Sequence, residues 1–313
     1  MVPFSGLDLS ENLPTLLRDA LHFSTAQVGK WHLAADNTGR SDYASLQKQV
    51  RSAGFTYAEH VYFSNLAQDY DQQLEWMIAD TIHFLNTSLR ADSPFFLHLN
   101  PVLPGGPGMP DVLSNDPPTN VRLQSGLASS LPRAARSLLP SRASVLARAT
   151  AGVVNQKALA EAASMVWLDD GMGAVMKLLE AHQVLDETFI VITADHAYEA
   201  KGEAYELGIR VPFIVRYPSA FPAGTIHRGL VSTLDLVPTV TELAGYSNPA
   251  DGGSHPAWAR DGMSLLTLMA NPSVRDHLII EIYNDRAVVL DDFKYVYKPQ
   301  GQLANTVSGS VGK

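Results

Sequence analysis

A chain of 313 residues with 46% hydrophobic residues is long enough to bury one large core and a small appended domain. The net charge of −9 argues against a general binder of nucleic acid or other polyanions, and no apolar run approaches the roughly 20 residues needed to span a bilayer. The absence of cysteine excludes disulfides and thiolate metal sites, and it leaves the redox compartment undetermined.

Apolar residues at helical spacing alternate along the chain with short apolar runs that are typical of buried strands. The predicted helices lie at residues 8–22, 68–89 and 155–182, and one more follows Asp235. The predicted strands lie at residues 24–29, 94–100, 188–194 and 211–217. Strands that alternate with helices favour a parallel sheet that is covered by helices on both faces.

Two stretches depart from this alternation. Residues 122–153 are rich in Ser and Ala, with five arginines and no acidic residue, and this composition predicts a poorly packed excursion on the surface. Residues 277–298 contain short β-rich segments joined by turn residues such as Asn284 and Asp285. We therefore expect a small β subdomain near the C-terminal end.

Polar side chains follow two of the predicted strands. Lys30 and His32 come directly after the strand at 24–29, and they flank Trp31, so an extended backbone would direct both to one face. Asp195 and His196 follow the strand at 188–194, and Lys201 comes six residues after Asp195. Ligands of open α/β sheets lie outside the carboxyl ends of the strands. These residue types therefore predict a site for a metal ion and an oxyanion.

Several short motifs occur here in the order that they have in the sulfatase family of the alkaline-phosphatase-like superfamily. They are Gly29–Leu33, Pro94–Asn100, Leu168–Gly171, Asp195–His196, Ala200–Glu206, Val211–Pro218 and Leu234–Gly245. The chain resembles that family over most of residues 6–300. The resemblance implies an α/β/α sandwich with a mainly parallel central sheet over residues 1–272, and a small C-terminal antiparallel β subdomain over residues 273–313.

The resemblance also implies hydrolysis of sulfate monoesters, either aryl or carbohydrate, with a sulfated small molecule or glycan as the substrate. In such a site Lys30 and His32 contact the formylglycine nucleophile and the sulfate, and Lys201 holds the sulfate. Asp195 and His196 contact a divalent cation, with Ca²⁺ as the first choice. One carboxylate and one histidine fall short of the 6–8 oxygen ligands that Ca²⁺ takes, so we expect weak metal binding by this chain.

The chain departs from the family pattern at the nucleophile. The family's paired aspartates and its Cys-x-Pro-Ser-Arg motif, whose cysteine becomes formylglycine, are missing, so we expect a member without its N-terminal part and with impaired or no turnover. Residues 138–144 superficially resemble that motif, but Leu138 occupies the nucleophile position and the segment lies on the wrong side of Lys30. Gly105 stands where an active-site histidine is expected, and Ala197 replaces a usual glycine.

Three hypotheses follow from this pattern. The first is an active sulfatase seen without its N-terminal part, and the second is a pseudoenzyme that binds sulfated glycans without cleaving them. A phosphatase or phosphodiesterase of the same superfamily ranks last, because it needs a Thr, Ser or Cys nucleophile near two metals. Residues 1–6 show no signal peptide, so a secreted or endomembrane location is implied by the resemblance alone. The oligomeric state and the identity of the substrate stay open.

Overall fold

The computed structural model describes residues 11–33, 43–62, 74–104, 137–150, 155–197, 200–248, 261–290 and 293–299, with short segments at 113, 121–122, 128–129, 253, 256–259 and 306–309. The chain divides into two compact units, Met1–Gln183 and Val184–Lys313. The division that the resemblance implies between residues 272 and 273 stays a prediction. Within the described residues, no helix combines the length and the apolar character needed to cross a membrane.

The first unit contains a parallel sheet, as the alternation of elements predicts. Its helices are α1 (Leu13–Leu21), α2 (Tyr43–Ser52), α3 (Leu74–Arg90), α4 (Arg142–Ala149) and α5 (Gln156–Ala181). Its strands are β1 (Ser24–Lys30), β2 (Tyr57–Tyr62), β3 (Phe95–Asn100), β4 (Val121–Arg122) and β5 (Ala128–Ser129). The order β2-β1-β3 is parallel throughout, and β4 and β5 form a short antiparallel pair. The interior residues of β1 are buried because this strand lies at the centre.

Helices cover both faces of the three-stranded sheet, which is the α/β/α arrangement that was predicted. Neighbouring residues of a strand face opposite sides. Val61 packs with Leu46 of α2, whereas Tyr62 packs with Met77 of α3 and with Val28. The apolar positions of β1 and β2 are therefore shared between two hydrophobic layers, and burial of those layers holds the carboxyl end of β1 in place.

The expectation of a poorly packed excursion at residues 122–153 is wrong for the part that forms α4. The side chains of Arg142 and Glu75 are both buried and paired at 2.7 Å and 3.0 Å, and the guanidinium lies 4.9 Å from the ring centre of Trp167. The hydroxyl of Ser141 accepts the Ser144 N–H at 3.2 Å and caps the helix. The arginines that suggest a surface segment thus include one that a glutamate neutralises inside the core.

The second unit is built from antiparallel strands and short helices. Its helices are α6 (Glu206–Ile209), α7 (Leu236–Leu243) and α8 (Leu265–Ala270), with 3₁₀ turns at Thr233–Asp235 and Ala257–Ala259. Its strands are β6 (Ile190–Thr193), β7 (Phe213–Arg216), β8 (His277–Ile282), β9 (Asp285–Leu290), β10 (Phe293–Tyr297) and β11 (Thr306–Gly309). The order β11-β10-β9-β8 is antiparallel, which confirms the predicted C-terminal β subdomain.

The pairing of β6 with β7 differs from the parallel arrangement that the alternation favours. The two strands are antiparallel, with Thr193 opposite Phe213. A parallel connection needs a crossover that carries the chain back along the strand. Among the described residues between these strands, the helical segment α6 has four residues and rises about 6 Å, so the chain reverses direction instead.

The surroundings of Glu59 on β2 predict that the free energy of unfolding depends on pH. Burial, followed by the nearby Asp80 carboxylate, raises the pKa of Glu59, which accepts a hydrogen bond from the Tyr43 hydroxyl at 3.3 Å. The Glu59 carboxyl group therefore holds its proton more tightly in the folded state than in the unfolded chain. As a result, the free energy of unfolding falls as the pH rises from the ordinary glutamate pKa through the raised pKa. We expect Glu59→Gln to gain stability relative to the wild type above that window and not below it, as measured by urea unfolding in a pH series. A difference that is equal at every pH would contradict this reasoning.

Candidate functional site

The strand end that carries Lys30 is fixed by buried neighbours. The backbone N–H of Trp31 donates to the Tyr62 carbonyl at 2.8 Å, and its buried ring meets Phe55 edge to face at a centroid distance of 5.7 Å. Strand β1 ends at Lys30, and His32 lies in the turn that follows. The extended backbone that would direct Lys30 and His32 to one face therefore stops before His32. The common orientation of the two side chains stays a prediction.

Two carboxamide side chains hold the backbone of Lys30. Gln27 Nε2 and Asn100 Nδ2 each donate to the Lys30 carbonyl at 3.2 Å, from β1 itself and from the neighbouring β3. Opposite this point β2 carries an extra residue, His60, at φ 51°, where the register of the two strands shifts. Neither carboxamide was singled out from the sequence. The available signal was a polar Gln27 inside the strand predicted at residues 24–29 and an Asn at the end of the strand predicted at 94–100.

Asp195 and His196 lie together beyond the carboxyl end of β6. Asp195 Oδ1 is 3.6 Å from His196 Nε2, and the Asp195 side chain is 72% exposed. His196 Nδ1 is 2.7 Å from the Ala197 carbonyl oxygen. A carbonyl only accepts hydrogen bonds, so Nδ1 carries the proton and Nε2 is left as the ligand atom of the neutral ring or a second donor of the charged ring.

This pair does not amount to a calcium site. An oxygen and a nitrogen 3.6 Å apart can bind one cation, but they supply two ligands where Ca²⁺ takes 6–8 oxygen ligands. In the part of the chain that the structure describes, no three His, Asp or Glu side chains converge in a way that could hold a metal ion. Metal binding by Asp195 and His196 therefore stays a prediction, and we derive no chemical step from it.

Lys201 lies on a loop whose base is closed beside His196. The Ala197 N–H donates to the Gly208 carbonyl at 3.2 Å, and the Glu203 N–H donates to the Ala200 carbonyl at 3.0 Å. Lys201 is the second residue of the turn that the latter bond closes, and its side chain is exposed. Gly202 has φ +88°, which a glycine adopts at the third position of a type II turn without strain.

The five predicted site residues thus divide between the two units. Lys30 and His32 follow β1 in the first unit, and Asp195, His196 and Lys201 share one closed loop in the second. Convergence of the two groups on one ligand stays a prediction, and Gly105 lies outside the described residues.

Comparison with known proteins decides the family. Residues 7–246 match the family model described as Sulfatase. The chain belongs to the sulfatase family. This sulfatase-family chain is 31% identical over 100 residues to the ulvan-active sulfatase of Formosa agariphila, an alignment that covers 32% of the chain and 18% of that protein. It is 31% identical over 140 residues to the human N-acetylglucosamine-6-sulfatase, covering 41% of the chain and 24% of that protein.

Two solved structures share the fold. Ps i-CgsB in complex with k-i-k-neocarrahexaose has a TM-score of 0.66 and 19% identity, over 98% of this chain and 68% of that chain. BT4656 in complex with its substrate D-glucosamine-2-N,6-O-disulfate has a TM-score of 0.64 and 19% identity, over 98% and 77%. The fold of the sulfatase-family chain is therefore established by this likeness, whereas its substrate is a separate matter.

Proposed function

We propose that this protein recognises the sulfate ester of a carbohydrate and that its complete function is sulfuric ester hydrolysis. Family membership supplies the reaction class, and relatives named as N-acetylglucosamine-6-sulfatase and ulvan-active sulfatase support a carbohydrate substrate. The structural observation that carries the proposal is the position of Lys30. It lies at the carboxyl end of the central parallel strand, where ligands of α/β sheets lie, and two carboxamides hold its backbone.

Each site residue has a defined part in this proposal. The ammonium groups of Lys30 and Lys201 attract and orient the sulfate, since each supplies a positive charge and three N–H donors. His32 donates a further hydrogen bond or a proton near neutral pH. Asp195 and His196 contribute ligands to a divalent cation, which when bound would neutralise further charge on the sulfate oxygens.

We further propose that these 313 residues bind a sulfate ester without releasing sulfate. They contain no cysteine, so a formylglycine derived from cysteine cannot form within them. The glycine at position 105 supplies no imidazole where the family resemblance places one. Catalytic groups that act as a unit lose most of their effect together, so the retained lysines and histidines do not restore turnover.

The proposal predicts selective binding of a sulfated sugar. The chain should bind N-acetylglucosamine 6-sulfate and leave unsulfated N-acetylglucosamine unbound in isothermal titration calorimetry. Lys30→Met and Lys201→Met should each weaken binding about tenfold or more, since a hydrogen bond to a charged group contributes roughly 1.5–3 kcal/mol. Lys48→Met, on the exposed side of α2, is the matched control and should leave the affinity unchanged.

Two results would count against the proposal. Equal affinity for the sulfated and unsulfated sugars would remove sulfate recognition. Sulfate release from the sulfated sugar, followed by ion chromatography, would show that these residues have a nucleophile other than cysteine-derived formylglycine.

A further inference from the structure

The loop that carries Lys201 has a charge balance that opposes anion binding. Residues 195–210 contain four carboxylates and two cationic side chains. The turn that contains Lys201 is closed by the Glu203 N–H bond to the Ala200 carbonyl at 3.0 Å, so Glu203 lies within a few ångströms along the chain. Glu206 begins α6, which follows directly. A lysine beside unpaired carboxylates forms an ion pair with them or lies in their negative potential. Both effects weaken its attraction for a sulfate.

Two lysines from the C-terminal sheet pair with these glutamates. Lys294 Nζ lies 3.1 Å from Glu206 Oε1, and its side chain is only 3% exposed. Lys298 Nζ lies 2.6 Å from Glu203 Oε2 and 3.5 Å from an oxygen of Asp285. Glu206 and Glu203 therefore have cationic partners 88 and 95 residues away in the sequence. The other oxygen of Glu206 lies 3.8 Å from Arg210 Nη1.

The two lysines lie on the face of the C-terminal sheet that packs against the loop. Lys294 and Lys298 are four residues apart on and just after β10, so they share the face of the sheet that also carries Val296. That face packs on Ala204, which is fully buried between the two glutamates of the loop and contacts Ala287 and Val296. Lysine is rarely buried without a partner, and the buried Lys294 has its partner in Glu206.

We propose that Lys294 and Lys298 neutralise Glu206 and Glu203 and so keep Lys201 available to an anion. This proposal rests on the proposed sulfate site and extends it, because it makes the C-terminal sheet an electrostatic part of that site. The two lysines act through the glutamates and are positioning residues. The connection also reaches His196, since α6 holds the adjacent Ala197 through the Gly208 carbonyl.

The test compares two acetylating reagents on the full 313-residue chain. Sulfo-N-hydroxysuccinimide acetate is an anion and N-hydroxysuccinimide acetate is neutral. The acetylation rate of Lys201 with the anionic reagent, divided by its rate with the neutral reagent, therefore reports the local electrostatic potential. The ratio is measured by peptide mapping with mass spectrometry, with Lys48 in the same digest as the internal reference. This readout requires no sulfate-ester binding, and near-ultraviolet circular dichroism confirms that each variant is folded.

The lysine variant Lys294→Met/Lys298→Met should lower the ratio at Lys201 about three- to fourfold. That is the Boltzmann factor for the loss of two positive charges roughly 10 Å away in water. The pair between Arg210 and Glu206 is unchanged in this variant. Methionine keeps the apolar stem that packs against the sheet. Adding Glu203→Gln and Glu206→Gln to the same chain removes two negative charges and balances the two lost positive charges, so the ratio should return to the wild-type value.

An unchanged ratio in the folded lysine variant would overturn the proposal. An equal decrease with and without the two glutamine substitutions would also overturn it, because that pattern indicates lost structure. If the lysine variant fails to fold, Glu203→Gln/Glu206→Gln with both lysines retained should raise the ratio above the wild-type value, and no rise would refute the charge role. Failure of the wild type to bind N-acetylglucosamine 6-sulfate would overturn the sulfate site while the reagent ratio still tests the charge role.

Discussion

Asp235→Asn is expected to lower the free energy of unfolding by about 3–5 kcal/mol, the cost of breaking a buried ion pair from one side. The Asp235 side chain is fully buried, and both its oxygens lie 2.6 Å from the guanidinium of Arg275. The same carboxylate accepts the backbone N–H groups of Ser232 at 2.7 Å and Met263 at 2.9 Å. Asparagine has one acceptor oxygen, so the variant leaves a buried N–H and a buried cation without full partners.

The matched control is Asp186→Asn, which also breaks a pair with an arginine. The Asp186 side chain is 78% exposed where it meets Arg216, and such surface pairs contribute about 1 kcal/mol or less. Urea unfolding of both variants gives the comparison. Equal losses in the two variants would show that burial of Asp235 does not set its contribution. In addition, Asp235→Asn/Arg275→Met should cost less than the sum of the single changes, because the two side chains are coupled.

The role of Asp235 shows what a sequence motif can and cannot reveal. The segment Leu234–Gly245 supports the family resemblance, but its sequence does not indicate that Asp235 binds several distant groups. The partners Met263 and Arg275 lie 28 and 40 residues further along the chain. Long-range partners of this kind depend on how loops return through space, which periodicity and spacing do not report.

Elements with strong local signals were predictable. The helix at 13–21 begins where Asn12 accepts the Thr15 N–H at 2.8 Å, with Pro14 in its first turn as the sequence suggests. The position of Lys30 at a strand end was predictable too, because it directly follows the short strand predicted at residues 24–29. These features depend on residues within one turn or one strand of each other, and the same local rules that predict them also stabilise them.

Features that depend on distant contacts were missed. The burial of Arg142 depends on Glu75, which lies 67 residues earlier, so composition alone suggested a surface position. Lys294 reads from the sequence as an ordinary solvated lysine, and only its contact with Glu206 shows otherwise. The antiparallel pairing of β6 with β7 likewise depends on a connection that forms one short helical turn. In each case a tertiary contact reverses an expectation from composition or from the order of predicted elements.

The position of the Lys30 backbone depends on the preceding glycine, Gly29. Gly29 has φ +97°, and a Cβ there would lie 2.3 Å from the Asn100 carbonyl oxygen and 2.5 Å from Met77 Cε. Both the backbone conformation and the space therefore require glycine at the point where β1 meets its bulged neighbour. A side chain at this position would push β3 away, and Asn100 Nδ2 would lose the Lys30 carbonyl that it now holds.

Gly29→Ala is therefore expected to destabilise the protein by roughly 2–6 kcal/mol, about 1–3 for the backbone conformation and about 1–3 for displacing packed atoms. Gly173→Ala is the matched control: apart from the backbone of its own helix and its chain neighbours, no described atom lies within 4 Å of a Cβ added at this α5 residue, so alanine should stabilise the helix by about 0.5–1 kcal/mol. Urea unfolding measures both changes. A Gly29→Ala variant as stable as the wild type would show that β1 and β3 can separate without cost, and the rigid placement of Lys30 would then fail as the basis of sulfate recognition.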